Sequence, residues 1–355
     1  MRVTVATVDD LTTEQLALWD AIQRETPALD SPYCHVGFTQ AVSRVRDNVR
    51  VAILEEDGEV VGFLPFETLP GRVGRPIGGR LSDYQAVVAR ADSHWAAEEL
   101  VRGCGLAAWD FDRVCPTQES FADHSYQTHE VAHVDLAGGI DDYLHQKRRD
   151  GSGMLRQTER KQRKLRREHG ELRFIADATD RPWLEQLFEW KTAQYQRTGV
   201  TDAFAVPWTR ELLADLLAGD DELRGVMSVL LIDQQPVAIH YGLRCRGVLH
   251  CWFPSYDEQF ARYSPGAILF LELIRACGEM GVQRIDLGGV SHWKSRFMTS
   301  TSTIREGSVD LRPVVRRLRR AARRAHGWLR QSPLRGPARV PWRMYYRFRE
   351  WMAFE

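Results

Sequence analysis

The sequence of 355 residues has no hydrophobic run long enough to cross a lipid bilayer. Its longest apolar stretch, Ala267–Ile274, contains Glu272 and is far shorter than the roughly 20 residues that a transmembrane helix needs. The first residues, MRVTVATVDD, also lack the apolar core of a secretory signal. We therefore expect a cytoplasmic protein, with contact at the inner face of the membrane as an option.

Paired cysteines are also absent. The six cysteines are scattered, and no two of them have the CxxC spacing of zinc or redox sites. No metal site is therefore predicted, and reduced, mostly buried thiols are expected. The cysteines are Cys34, Cys104, Cys115, Cys245, Cys251 and Cys277.

The chain has no net charge, because 48 basic residues balance 48 acidic ones. The charges are unevenly distributed. Residues 147–170 hold ten Lys or Arg against three acidic residues, and residues 311–355 hold thirteen Arg against two Glu. The remainder is acidic. Two basic segments on an acidic body indicate anionic partners, such as phosphates, tRNA or acidic lipids.

The pattern of elements predicts an α+β fold with mostly antiparallel strands flanked by helices. The first half opens with a strand and a helix, then a hairpin that turns at Asp57-Gly58. A loop at 70–80, a strand at 85–88 and the strands 107–111 and 131–136 are predicted after it. Residues 141–170 are predicted to form one long charged helix or a helix pair, with an interruption at Gly151-Ser152-Gly153 and Gly170 as the C-cap. The second half repeats this order with a strand, two helices, a three-stranded meander, a helix and a strand. We predict domains at 1–145 and 146–310, followed by a tail at 311–355.

The stretch Cys251–Gly281 is the most informative part of the sequence. An apolar strand leads into a polar loop, and Ser264-Pro265-Gly266 then marks the start of a helix. A helix N-terminus offers unpaired backbone N–H groups to a phosphate, and glycine allows close approach. The alternative is that the three residues only cap the helix.

A second stretch, IDLGGVSHWKSRF at 285–297, follows the last predicted strand with two glycines and then Lys294. Ligands of α/β proteins often bind where strands end, and lysine binds phosphate as a point charge. A surface lysine beside a turn is the alternative.

These stretches, together with LRQTERKQRKLRREHGELRF and WLEQLFEWKTAQYQRTG, resemble GNAT-type acyltransferases related to the cellulose-biosynthesis protein CelD. That family is in turn related to the FemAB peptidyltransferases. In the first half, SDYQAVVA and DGEVVGFLPF are also similar to it. The resemblance covers roughly residues 30–300.

The resemblance implies two GNAT-like domains, with the acceptor on the side of the first and the donor bound by the second. By analogy, Arg262, Ser264 and Gly266 lie on the donor's pyrophosphate loop, and the family's lysine corresponds to Lys294. The glycine-rich loop of ordinary GNAT enzymes is largely absent here, and only Arg262 and Gly266 correspond to it. The same loop is degenerate in the FemAB relatives, whose donor is aminoacyl-tRNA. The implied donor is therefore acyl-CoA or, alternatively, aminoacyl-tRNA, and no tightly bound cofactor is expected.

Direct transfer requires that an amine or hydroxyl acceptor lose a proton, which calls for a base in the site. His240 on a predicted strand is the first candidate base, with Tyr256 and Asp257 as further proton-transfer groups. Packing and turn formation are the alternatives for these three residues. Four residues are predicted to contact substrate: Asp83, Tyr84, Asp286 and Trp293.

The leading prediction is an acyltransferase that uses acyl-CoA to modify a sugar, glycolipid or natural-product precursor. An aminoacyl-tRNA-dependent ligase and a non-catalytic scaffold are the alternatives. The basic helix 147–170 either is a solvated charged helix or contacts phosphates, such as those of tRNA. The tail at 311–355, rich in Arg and aromatic residues, is expected to rest on an anionic membrane, with RNA stacking as its rival.

Overall fold

Thirteen strands form one continuous sheet in the computed structural model, which describes residues 1–150 and 153–331. The strand order across the sheet is β1-β2-β3-β4-β6-β13-β7-β12-β11-β10-β9-β8, and β5 pairs with β3. Most neighbouring strands are antiparallel; the pairs β4–β6 and β11–β12 are parallel. The predicted α+β class with a mostly antiparallel sheet is confirmed.

The first half supplies seven strands and three helices in the described residues. They are β1 Arg2–Ala6, α1 Thr13–Glu25, α2 Val36–Val45, β2 Val49–Glu56, β3 Glu59–Leu69, β4 Val73–Arg75, β5 Val88–Ala89, α3 Ala97–Gly103, β6 Ala108–Val114 and β7 Ser125–Asp135.

The second half begins with the charged segment, which is a helix pair. The elements are α4 Ile140–Arg149, α5 Met154–His169, β8 Leu172–Ala178, α6 Arg181–Thr198, α7 Pro207–Leu217, β9 Leu223–Ile232, β10 Gln235–Cys245, β11 Val248–Tyr256, α8 Pro265–Ala276, β12 Arg284–Gly289, β13 Ser300–Asp310 and α9 Pro313–Gln331.

Local signals in the sequence explain several boundaries. The Asp57-Gly58 turn has positive φ at both residues, which matches the twist of a hairpin. Gly170 ends α5, as predicted, and its N–H bonds to the carbonyl of Arg166. Gly153 precedes α5 with a left-handed backbone; the two residues before it, within the predicted interruption, lie outside the described part.

Three local predictions need correction. The stretch 70–80, expected to be loop throughout, contributes β4, which pairs with both β3 and β6. The strand expected at 85–88 is reduced to β5, while Gln85 makes an isolated bridge to Val114. The strand β13 was not predicted at all, because its residues STSTIREGSVD are mostly polar.

The strand β13 links the two halves. Although it follows β12 in the chain, it lies between β6 and β7 and pairs with both of them. The strand β7 in turn pairs with β12. The sheet is therefore continuous across the halves, while the domain boundaries drawn above stay a prediction.

The core lies on both faces of this sheet. One face carries α1, α2, α6 and α7 over a hydrophobic cluster that includes Trp19, Phe63 and Tyr241 and runs through both halves. The other face carries α8 over β11 and β12 of the second half and β7 of the first half, and α3 over strands of the first half. We call the face with α1 and α7 the inner face, because the candidate site lies on it.

Candidate functional site

The sheet splits between β11 and β12. These strands pair in parallel over only three positions, the last being His250 opposite Asp286. Beyond His250, β11 continues to Tyr256 beside β10, whereas β12 follows β7. The shift in the β12–β7 register between Asp286 and Gly288 accompanies this divergence. Beyond residue 250 the edge of β11 that faced β12 has no paired strand among the described residues, so an extended ligand can lie along it.

His250 lies at the start of the split and is bound to the first half of the chain. Its Nε2 is 2.8 Å from Oδ2 of Asp83, and Oδ1 of Asp83 is 2.6 Å from the Arg113 guanidinium. Burial by itself would raise the pKa of Asp83, but the Arg113 charge and the His250 hydrogen bond hold it well below its usual range. The carboxylate is thus ionised and accepts from Nε2–H. That tautomer leaves Nδ1 of His250 as an acceptor, and it has no partner among the described residues.

Two tyrosines enclose His250. The ring of Tyr33 meets the imidazole edge-on with centroids 5.1 Å apart, and the ring of Tyr84 does so at 6.3 Å. Both hydroxyl groups are buried and lack a hydrogen-bond partner among the described residues. Burial raises the pKa of both, so they remain protonated and can donate to a ligand.

Gly288 marks the point on which the polar groups converge. A Cβ at this position would lie 3.3 Å from Oδ2 of Asp83, 3.7 Å from Cε1 of His250 and 3.8 Å from Nζ of Lys294. Its φ of +66° is left-handed, a conformation that glycine adopts without strain. The predicted residues Asp83, Tyr84, Asp286 and Lys294 therefore do lie around one place, at the mouth of the split.

A second polar group lies at the other end of β11, at the N-terminus of α8. Ser264 precedes this helix with a left-handed backbone, and its hydroxyl does not cap the helix. Instead, Nζ of Lys161 on α5 donates to Oγ of Ser264 over 2.7 Å. Tyr256 lies beside Gly266, since a Cβ on Gly266 would be 3.6 Å from the tyrosine ring. A positive charge and a helix N-terminus thus meet where β11 ends.

Residues 152–295 match the family model described as an acetyltransferase (GNAT) domain. The predicted enzyme class, an acyltransferase, is confirmed by this match, and the split sheet lies within the matched residues. No curated protein matches the chain in sequence.

Solved structures extend the similarity of fold to both halves. A structure titled FemX shares 11% identity at a TM-score of 0.58, covering 88% of this chain and 97% of that one. The C-terminal domain of a putative lysylphosphatidylglycerol synthetase from Agrobacterium fabrum shares 16% sequence identity at a TM-score of 0.52. The match covers 84% of this chain and 91% of that domain. A tandem GNAT protein from the clavulanic acid biosynthesis pathway shares 12% sequence identity at a TM-score of 0.50. The match covers 88% of this chain and 99% of that one. At these identities the likeness concerns the fold, and it bears out the tandem GNAT architecture.

The other predicted residues lie apart from the mouth of the split. His240 is fully buried on β10, and neither ring nitrogen has a partner among the described residues. Burial, together with neighbouring His250, lowers its pKa to about 3, so the ring is neutral at pH 7. Asp257 accepts from the N–H of Gln259 and begins a short 3-10 turn. Trp293 packs edge-on against Phe270 of α8. Their assigned roles stay predictions.

Arg262 lies near the α8 N-terminus but faces solvent. Its guanidinium stacks on the ring of Tyr263, 4.6 Å from the centroid, and its side chain is 66% exposed. It also lies 3.6 Å from Glu168 on α5. An exposed, partly neutralised arginine is free to move toward a ligand phosphate at modest energetic cost.

Sequence reasoning missed His250 and Lys191, whereas Lys161 belongs to the basic helix 147–170, for which contact with phosphates was one of the two interpretations. His250 is a polar residue within the apolar strand VLHCWF, which is a usable signal, but its partner Asp83 is 167 positions away. Lys191 on α6 is buried, and its Nζ donates to Oε1 of Gln194 and, over 3.4 Å, to the carbonyl of Pro254 on β11. Burial lowers its pKa to about 8. Nothing in the helical pattern of α6 distinguishes this lysine from an exposed one.

Proposed function

We propose that the protein transfers an acyl group from acyl-coenzyme A to an amine or hydroxyl of a sugar, glycolipid or natural-product acceptor. The observation that carries this proposal is the separation of the two polar groups along β11. Tyr256 lies six residues after His250 along the strand, a separation of about 20 Å. Coenzyme A also has two polar ends that lie far apart, because its extended pantetheine arm separates the thioester from the phosphates.

Each end of the split has a distinct role in this proposal. Lys161 and the first turn of α8 bind the pyrophosphate, with Arg262 closing over it. Lys294 donates to the thioester oxygen as negative charge develops there. His250 Nδ1 accepts the proton of the attacking amine or hydroxyl, while Asp83 orients the ring and stabilises its protonated form. Tyr33 and Tyr84 supply hydrogen-bond donors to the acceptor.

Aminoacyl-tRNA is the alternative donor, and the FemX-like fold is what supports it. In that donor, however, the ester is attached directly to the terminal ribose, close to its phosphate. The distance between the two polar groups therefore favours coenzyme A. A tRNA would instead contact the outward side of α5, where Arg156, Arg160, Arg163 and Arg167 are exposed.

Binding of acetyl-CoA to two variants of α5 tests the donor. Lys161→Met removes the charge beside Ser264 and should weaken acetyl-CoA binding about tenfold, the effect of losing one charge-assisted contact of about 1.4 kcal/mol. Arg160→Met, on the exposed side of the same helix, should leave that affinity unchanged. Calorimetry with acetyl-CoA and with an aminoacyl-tRNA measures both.

A donor other than coenzyme A would give a different pattern. If tRNA binds, its affinity should fall steeply with salt, and Arg160→Met should weaken it as much as Lys161→Met does. Equal loss in both variants, or no acetyl-CoA binding by the unaltered protein, would contradict the proposal.

We also propose that α9 rests on an anionic lipid surface. Three arginines of this helix face the protein: Arg316 pairs with Glu98, Arg319 with Asp110, and Arg323 stacks on Tyr126. On the opposite side of the first two turns of α9, two apolar side chains face solvent. Val314 and Leu318, one turn apart, are 66% and 65% exposed.

Exposed Arg317, Arg320 and Arg324 flank this apolar stripe. Such a pairing of apolar and basic residues suits the interface of anionic membranes. Within the described residues no helix is both long and apolar enough to cross a membrane. The tail beyond residue 331, with most of the aromatic residues assigned to the membrane, lies outside the described part.

Sedimentation with lipid vesicles tests this surface. The protein should bind vesicles that contain phosphatidylglycerol and not those of phosphatidylcholine alone, and Val314→Ser with Leu318→Ser should weaken binding at least tenfold. Val200→Ser, at an exposed valine on the α6–α7 loop, is the control. Unchanged binding by the double variant would exclude the α9 stripe as the contact.

A further inference from the structure

A row of polar side chains crosses four strands beside the split. His250 on β11 pairs with Asp286 on β12, and Asp286 pairs with His133 on β7. Next to β7, the strand β13 brings Ser302 opposite Val131, two positions from His133. Because side chains alternate along strands, these polar residues share the inner face. The proposed function uses only the β11 end of this row.

The other end of the row has the arrangement of a nucleophile, a base and an orienting carboxylate. Nε2 of His133 is 2.7 Å from Oγ of Ser302, and Nδ1 of His133 is 2.7 Å from Oδ1 of Asp286. Both distances lie within hydrogen-bond reach, the geometric requirement for a serine activated by histidine. The three residues come from three strands, and His133 is more than 150 positions from both Asp286 and Ser302 in the sequence.

Asp286 is held in its ionised form. It is fully buried, which alone would raise its pKa, but hydrogen bonds from His133 and the charge of Arg284 lower the pKa to about 2. The Arg284 guanidinium donates to Asp286 over 2.8 Å and to Asp30 over 2.6 Å. An ionised Asp286 accepts Nδ1–H, which leaves the lone pair of Nε2 facing the Ser302 hydroxyl.

The cluster is also open to solvent. Ser302 is only partly buried, and His133 is 8% exposed. The side chains of Arg284 and Asp30, which pair with each other beside Asp286, are 32% and 39% exposed. A small activated ester can therefore approach the serine without unfolding the sheet.

We infer that Ser302, His133 and Asp286 form a nucleophilic centre at which Ser302 takes up an acyl group from a thioester or activated ester. Oγ of Ser302 attacks the carbonyl carbon, and its proton passes to Nε2 of His133. The new bond joins Oγ to the acyl carbon, the bond to the leaving sulfur or oxygen breaks, and His133 returns the proton to that leaving group. Water or an acceptor hydroxyl then releases the acyl group by the reverse path. Asp286 is a positioning residue.

The physiological acyl source in this inference rests on the proposed function, but the test does not. The full chain is mixed with p-nitrophenyl acetate, release of nitrophenolate is followed, and intact-protein mass spectrometry with peptide mapping locates any acetyl group. The expected result is a burst of nitrophenolate close to one per protein, with the acetyl group on Ser302.

Matched variants separate catalysis from structure. Ser302→Ala should abolish the burst and the label, whereas Ser300→Ala, two residues away on the same face of β13, should retain both. His133→Gly should slow acylation about 10³- to 10⁴-fold, and added imidazole should restore it. Asp286→Asn should slow it to a comparable extent and change its pH profile. Circular dichroism melting confirms that each variant is folded.

The outcomes distinguish the two proposals. Three results would overturn the nucleophilic centre: an acetyl label on another residue, no burst, or a burst that a folded Ser302→Ala variant retains. None of them would affect the proposal of acyl-CoA transfer at His250. A burst at Ser302 in a protein that does not bind acetyl-CoA supports the centre and counts against the proposed donor. Failure of imidazole to restore the folded His133→Gly variant would also overturn the assigned role of His133.

Discussion

At the scale of single residues, Lys191 shows how the split changes the chemistry of an ordinary side chain. Its ammonium lies 5.0 Å from the ring centroid of Tyr195 and is held by Gln194 and the Pro254 carbonyl. Within the part of the chain that the structure describes, no carboxylate is among its hydrogen-bond partners. The lysine is therefore a buried cation on the free edge of β11, where a ligand carbonyl could accept a hydrogen bond from it.

The stability of the protein should reveal this burial. The pKa of Lys191 is about 8 in the folded protein and 10.5 for an ordinary lysine, so the folded state binds fewer protons between these values. Its contribution to the free energy of unfolding should therefore rise with pH from 8 to 10.5, by about 3 kcal/mol at most. Below pH 8 the full cost of burying the charge is present.

Urea unfolding of Lys191→Met from pH 7 to 10 measures this effect. As pH rises, the free energy of unfolding of the wild type should increase relative to that of the variant. Lys164→Met, at a lysine whose side chain is 51% exposed, should show no such trend. A difference that stays constant over the whole range would mean that Lys191 is not charged at an energetic cost in the folded protein.

The two histidines of β10 and β11 show what a sequence can and cannot say about a residue. His240 and His250 both stand in apolar strands, and both are fully buried. Only His250 is bound to a carboxylate, and that carboxylate belongs to the loop before β5. Because the partner is supplied by another part of the fold, the surrounding residues could not show which histidine had one.

At the scale of elements, the end of β12 depends on a single glycine. Gly288 has a left-handed backbone, and a side chain there would press on Asp83 at 3.3 Å. Gly289 has no left-handed φ, and apart from its chain neighbours no atom of the described residues lies within 4 Å of its Cβ position. Gly288 is therefore constrained by its backbone conformation and its neighbour, whereas Gly289 is not, so substitution of Gly289 is a suitable control for substitution of Gly288.

Gly288→Ala should therefore impair activity, and Gly289→Ala should not. The first substitution adds strain of about 1–2 kcal/mol at the left-handed position and displaces Asp83 from His250. We expect at least a tenfold loss of kcat/KM in acetyl transfer, since misplacement of about 1 Å near reacting groups can cost 10²-fold. Steady-state kinetics and thermal melting of both variants provide the measurement. Equal behaviour of the two variants would show that the backbone at Gly288 is not critical.

The helix elements were the most predictable part of the fold. Ser264-Pro265 marked the start of α8, and Gly170 the end of α5, because backbone conformations at helix ends are set by neighbouring residues. The hydroxyl of Ser264 nevertheless bonds to Lys161 rather than to its own helix. Local sequence therefore located the element, while the neighbouring helix determined what the side chain does.

At the scale of the whole molecule, the placement of β13 makes the halves depend on each other. The second half contributes β12 and β13, and both pair with β7 of the first half. A fragment of residues 146–310 would expose the edges of both strands. Unpaired edges bind to other chains, so such a fragment should aggregate.

Expression of fragments tests this dependence. Residues 146–310 alone should be insoluble or lack a cooperative unfolding transition, and co-expression with residues 1–145 should restore a soluble complex. Residues 1–310, which lack α9 but keep every strand of the described sheet, should unfold in one transition. A soluble fragment 146–310 with its own sharp transition would show that the halves fold independently.

The sequence by itself determined the α+β class, the element order of both halves, the site of the α8 N-terminus and the unequal distribution of charge. These features follow from side-chain periodicity and from residues that dictate local backbone conformation. Only the tertiary structure decided that β13 inserts between β6 and β7, that His250 meets Asp83, and that His133 lies between Ser302 and Asp286. Each of these contacts joins residues more than 150 positions apart, where the pairing depends on how strands assemble and not on the order of neighbouring residues.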